Sequence, residues 1–171
     1  MNKIIFFYLV LLPTLAFGQW NPFEKLAYDK VVAYEYQGEG ELLIENCLET
    51  EKEKINKNVT LTEKQIEKLE ALLTSEKSYG NTTMACFDPH FAIVYYLKEK
   101  IIGSISICLE CNYLMSSEII PATELKMIKV SDDYSYPAKG FSKTARKEIY
   151  SYINDIGFVK YLKPLTSFFD E

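Results

Sequence analysis

Apolar positions recur along this chain at two spacings, and the change between them predicts an α+β domain. Over residues 30–36 the period is two, with Val32, Tyr34 and Tyr36 on one face of a first strand. Gly38-Glu39-Gly40 then marks a turn, and residues 42–48 read as a returning strand. Residues 49–58, rich in lysine and glutamate, read as a solvated loop. At Thr62 the period becomes 3.6. Thr62 is an N-cap, Gln65 completes a T-x-x-Q capping box, and Leu61 with Ile66 sits where a hydrophobic staple would. Ile66, Leu69, Leu72 and Leu73 make one apolar stripe, the signature of a helix laid on a core.

After a polar loop at 78–83, two apolar runs at 91–97 and 101–109 flank a short polar turn at 98–100. This is the pattern of a β-hairpin. Residues 112–123, with Pro121 as a breaker, read as irregular, and 125–130 as one more short strand. A second helix is predicted from an N-cap at Ser142 to about Ile156. Ala145, Ile149, Tyr152, Ile153 and Ile156 share one face, and Gly157 is placed to end it. The apolar tail at 158–169 should pack back on the domain. The expected fold is therefore a small, mostly antiparallel sheet with a central hairpin and two amphipathic helices.

The hairpin also carries the chain's candidate chemistry. Cys86, His90, Cys108 and Cys111 are three of the four cysteines and the only histidine. With the turn centred on Glu99, opposed residues have numbers summing to 198. His90 then faces Cys108, on the face of Ala92, Val94 and Tyr96, and Cys86 comes near Cys111. Three readings follow. Disulfides would join Cys86 to Cys108 or Cys111 and leave Cys47 for the remaining cysteine. A Cys₃His site would hold Zn or Cu(I) through C-x₃-H and C-x₂-C. Thiol–disulfide exchange would use Cys108 and Cys111, although Glu110 between them disfavours a thiolate.

The compartment bears on that choice. Lys3, an apolar run at 4–12, Pro13, and Ala16-Phe17-Gly18 before Gln19 form a secretory leader with a cleavage site. Its apolar stretch is too short to span a bilayer. Cleavage would leave residues 19–171 as a single exported domain, periplasmic or extracellular, where disulfides persist. The net charge is −5, with no basic cluster, so nucleic acid is disfavoured as a partner and a protein partner stays open. There is no phosphate loop, dinucleotide fingerprint or G-x-S-x-G, which favours a binding or structural module over an enzyme.

Residues 78–112 also resemble the core of a family of small exported bacterial proteins of uncharacterised function. Its pattern runs from a Tyr-Gly loop through C-[FY]-x-P-[RH]-H-x-x-[VI] and a hairpin to I-C-[FL]-x-C. Cys86, Pro89, His90, Ile107, Cys108 and Cys111 match it, as do LTEKQ at 61–65 and GFSKTARKEI at 140–149. Pro89 is followed directly by His90 and Phe91, without a second basic residue, and Cys47 falls outside the pattern. The resemblance covers about residues 59–157. It implies that the three cysteines and the histidine act as a unit, and it implies no activity.

Overall fold

The computed structural model describes residues 21–40, 42–123 and 126–165. The expected leader at 1–18 and the tail beyond Leu165 lie outside the described residues. The elements run β1 (Lys30–Tyr36), α1 (Ile44–Thr50), β2 (Ile55–Thr60), α2 (Glu63–Thr74), β3 (Tyr79–Asn81), β4 (Phe91–Leu97), β5 (Lys100–Cys108), β6 (Tyr113–Ser116), β7 (Met127–Lys129), β8 (Ser135–Pro137), β9 (Gly140–Phe141) and α3 (Lys143–Asp155). This is the expected α+β fold. Five strands form one antiparallel sheet in the order β2-β1-β4-β5-β6, while β3 pairs with β9 and β7 with β8.

The hairpin is the centre of the sheet. Its turn has two residues, Lys98 at φ +50° and Glu99 at φ +64°, in place of the three expected. Two positive φ values match the right-handed twist of the flanking strands. Near the turn the partners are Leu97↔Lys100 and Tyr96↔Ile101. A bulge at Ile102, between the Tyr96 and Tyr95 pairs, then shifts the ladder to Tyr95↔Gly103 and onward to Phe91↔Ile107, the register expected from the sequence. At Gly103 an added Cβ would lie 2.8 Å from Leu26, so glycine lets that side chain close over the sheet.

Both faces of the central strands are covered. Val31, Ala33, Phe91, Ile93, Tyr95, Ile105 and Ile107 pack against the stripes of α2 and α3. Val32, Tyr34, Tyr36, Ala92, Val94 and Tyr96 pack against Ile44 and Cys47 of α1. The caps read from the sequence are in place: Thr62 and Gln65 form the full capping box, Ser142 Oγ accepts from the Ala145 amide, and Gly157 takes φ +79°. Leu61 and Ile66 are both buried, as a staple requires.

Four local expectations are corrected and a fifth is narrowed. Residues 42–48 are largely helix: Ile44, Cys47 and Leu48 share a helical face, and both places beside β1 are taken by β2 and β4. The lysine-rich stretch holds the edge strand β2, whose charges suit an exposed edge. The loop at 78–83 contributes β3, and the stretch after Cys111 contributes the opposite edge, β6. The strand expected at 125–130 is the three-residue β7, with Leu125 outside the described residues.

Glu70 is a buried carboxyl in the apolar stripe of α2, 8% exposed. It accepts from Asn21 Nδ2 at 2.7 Å and from Tyr95 Oη at 3.0 Å. Burial raises its pKa above the usual glutamate value. The folded chain therefore holds this proton more tightly than the unfolded chain. Its contribution is fully present below the ordinary glutamate range and is lost as pH rises through the raised folded value. Glu70→Gln should flatten that decline in urea unfolding followed from acidic to neutral pH. It should cost no more than about 1 kcal/mol in the acidic range, where the native group is already neutral.

Candidate functional site

The structure gathers the sulfurs of Cys86, Cys108 and Cys111 in one cluster and turns His90 toward β1. Cys86 and Cys111 form a disulfide with Cα atoms 5.6 Å apart, closing a separation of 25 residues. A loop of that size contributes about 3–4 kcal/mol by restricting the unfolded chain. Around it, the Met84 amide donates to Cys111 O at 3.0 Å and Tyr113 Oη donates to Cys86 O at 2.6 Å. Phe87 stacks on Tyr113 with centroids 4.8 Å apart. The bond thus ties the segment before β4 to the turn after β5.

Cys108 and Cys47 are free and buried, which corrects the expectation that Cys47 would pair with whichever cysteine was left over. Cys108 packs with Phe87, Cys111 and Tyr113, and its sulfur accepts from the Cys111 amide at 3.1 Å. Cys47 lies instead on the buried side of α1, against the other face of the sheet. Burial pushes the Cys108 thiol up to about 12 and the Cys47 thiol up to about 11. Both are protonated and weakly nucleophilic at neutral pH.

His90 does not oppose Cys108. The β4–β5 ladder ends at Phe91↔Ile107, and Cys108 pairs with Tyr113 of β6. His90 turns to β1 instead: its carbonyl accepts from the Tyr36 amide at 3.1 Å, and its Nδ1 lies 3.1 Å from Tyr36 O. A carbonyl only accepts, so Nδ1 is the donor in this contact. The ring stacks on Tyr161 at 5.0 Å. The carbonyl of Pro89 accepts from Gly38, where an added Cβ would meet that oxygen at 2.4 Å. Among the described residues, no three or more His, Cys, Asp or Glu side chains are grouped to hold a metal ion.

The residues that organise this end of the molecule are ones the motif did not include. Arg146, the only arginine, is 1% exposed. It donates to Leu109 O and, at 3.1 Å, to Asn112 Oδ1. Asn112 is fully buried at φ +66°, a conformation asparagine tolerates better than most residues. Its Nδ2 donates to Thr82 O at 2.7 Å and Phe141 O at 3.0 Å, and its carbonyl accepts from the Phe141 amide at 3.1 Å. Gly140 must lack a side chain, because a Cβ there would lie 2.1 Å from Asn112 O. Arg146 was legible as an anomaly: it lies three and seven residues before Ile149 and Ile153, within the buried stripe of α3.

Beside this knot lies a small half-open cleft lined by His90, Leu109, Glu110, Arg146, Tyr161 and Lys163 among others. Its outer wall is the segment after α3. Glu35, 3% exposed near the end of β1, accepts from the Lys160 amide at 2.6 Å and from Asn56 Nδ2. Glu110 pairs with Lys163 at 3.0 Å. This is the described part of the tail expected to pack back, with Phe158 fully buried. Glu35 was not singled out by the sequence pattern, because a glutamate inside a strand passes for a solvent-facing group, and Glu110 was read only for its effect on the cysteines beside it.

No family model, curated protein or solved structure matches the chain. The fold and this cleft stand on their own geometry.

Arg146→Lys should destabilise the protein more than His90→Ala. Lysine cannot reach both oxygens with a planar fork, and leaving buried acceptors unpaired costs about 1–3 kcal/mol. Replacing His90 removes one hydrogen bond to a backbone carbonyl and a ring contact, a loss of about 1 kcal/mol. Chemical unfolding of both variants beside the parent checks the order.

Proposed function

We propose that this chain is an exported binding or structural module in which the hairpin cysteines staple and do not catalyse. The observation that supports this reading most is the division among the four sulfurs. Two are joined where the segment before β4 meets the turn after β5, and two are buried thiols held protonated. An arrangement for outward thiol chemistry would instead expose a sulfur of lowered pKa. The leader at 1–18 and the disulfide fit an oxidising compartment. No helix among the described residues is long and apolar enough to cross a membrane. The half-open cleft beside the staple, mostly apolar with His90, Arg146 and Lys163 at its polar points, is the place such a module would offer a partner.

The Cys₃His reading requires more change. The Cys86–Cys111 bond would have to be reduced, and His90 would have to leave Tyr36 O and Tyr161. One sample distinguishes these readings: the protein recovered from the export compartment, weighed intact, alkylated after unfolding without reductant, and assayed for metal. The expected result is a chain beginning at Gln19 with two labelled cysteines, Cys47 and Cys108, and no stoichiometric Zn or Cu. Four labelled cysteines appearing only after chelation would establish the metal site in its place. A chain retaining residues 1–17 in the membrane fraction would overturn export.

A further inference from the structure

Three sulfurs meet at the end of the hairpin, and only two of them are bonded. The Cys108 sulfur lies 3.1 Å from the Cys111 amide nitrogen, which donates to it. A cysteine's own sulfur lies about 3–4 Å from its amide nitrogen, depending on its χ1 rotamer, so the sulfurs of Cys108 and Cys111 are within about 7 Å of each other. Both belong to one apolar cluster with Phe87 and Tyr113, and Cys86 packs against it. Cys108 and Cys111 are fully buried, whereas Cys86 is partly exposed, two residues from the half-exposed Met84.

We propose that the staple is exchangeable: Cys108 attacks the Cys111 sulfur, the Cys108–Cys111 bond forms, and Cys86 leaves as the free thiol. One S–S bond breaks and one forms, so the oxidation level of the chain is unchanged. The proton lost by Cys108 is regained by Cys86, and no outside oxidant or reductant takes part. The step moves the free thiol from a sealed position to a partly exposed one. Cys86 then becomes the site at which a small disulfide, or a cysteine of another protein, forms a mixed disulfide.

The surroundings set the balance. Burial, with the carboxylates of Glu110 and Asp88, disfavours the attacking thiolate, while the Cys111 amide favours it. The Cys86–Cys111 bond is the form the structure shows, and a protonated Cys108 makes the exchange slow at neutral pH. Cys47 lies on the buried side of α1, outside this cluster, and serves as an internal reference. The inference does not depend on what the cleft binds.

The test uses the native, unreduced protein with N-ethylmaleimide, followed by acid quench and peptide mapping. The expected result is label accumulating on Cys86 in molecules that carry a Cys108–Cys111 bond. Cys108→Ser should abolish that label and keep Cys86–Cys111 intact. Two outcomes overturn the proposal. One is Cys86 never labelled, with Cys108 reacting only after unfolding. The other is Cys47 and Cys108 labelled together, which reports unfolding. A second variant covers a failure of Cys108→Ser to fold. Cys86→Ser refolded with oxidised glutathione should form Cys108–Cys111 and leave one thiol, Cys47. Three free thiols would show that Cys108 and Cys111 cannot pair.

Discussion

The register of the central hairpin is the constraint on which the rest of the molecule depends. β1 and β4 are buried on both faces, so a slip of one residue would exchange the α2–α3 core for the α1 core all along the strand. Two local features prevent it. The Lys98-Glu99 turn sets the first pairs, and the bulge at Ile102 sets the remainder. From that register follow the end of β5 at Cys108, the turn through Cys111 and Asn112, and the return of β6 along the opposite edge. The turn arrives over α3 where Arg146 can hold Leu109 O and Asn112 Oδ1. The disulfide then joins parts that the ladder has already placed, and its contribution is entropic more than architectural.

The buried polar groups serve specificity. Glu35, Glu70 and Arg146 are all under 10% exposed, and each reaches partners far away in the chain. Glu35 holds the segment after α3, Glu70 holds Asn21 and Tyr95, and Arg146 holds the turn after β5. Desolvating such groups is costly, and apolar replacements could be as stable. Hydrogen bonds with fixed geometry instead select one arrangement of tail, helices and hairpin over others of similar burial.

Elements whose signals are local were legible in the sequence. The capping box at Thr62 and Gln65, the N-cap at Ser142 with Gly157, and the paired apolar runs of β4 and β5 each announce themselves within a few residues. The opposed-residue sum of 198 held from Tyr95 outward although the turn was one residue shorter, because the bulge restored the difference. What stayed hidden depends on tertiary placement. The stretch at 42–48 is apolar enough for a strand, and it becomes helix because the sheet has no free edge beside β1. β2 and β6 are edge strands with little alternation to read. At the site, the cysteine pairing was among the alternatives left open. His90 departed from its expected face because Pro89 and Gly38 draw the chain toward β1 before the ladder begins.

Amide hydrogen exchange of the native protein, compared before and after reduction of Cys86–Cys111, separates the register from the staple. If the register carries the sheet, Ile93, Val94, Ile105 and Ile107 stay protected after reduction. Faster exchange should then be confined to the amides of Met84 and Cys86 and their neighbours up to His90. Loss of protection across β4 and β5 together would contradict this, and would make the disulfide the element on which the sheet depends.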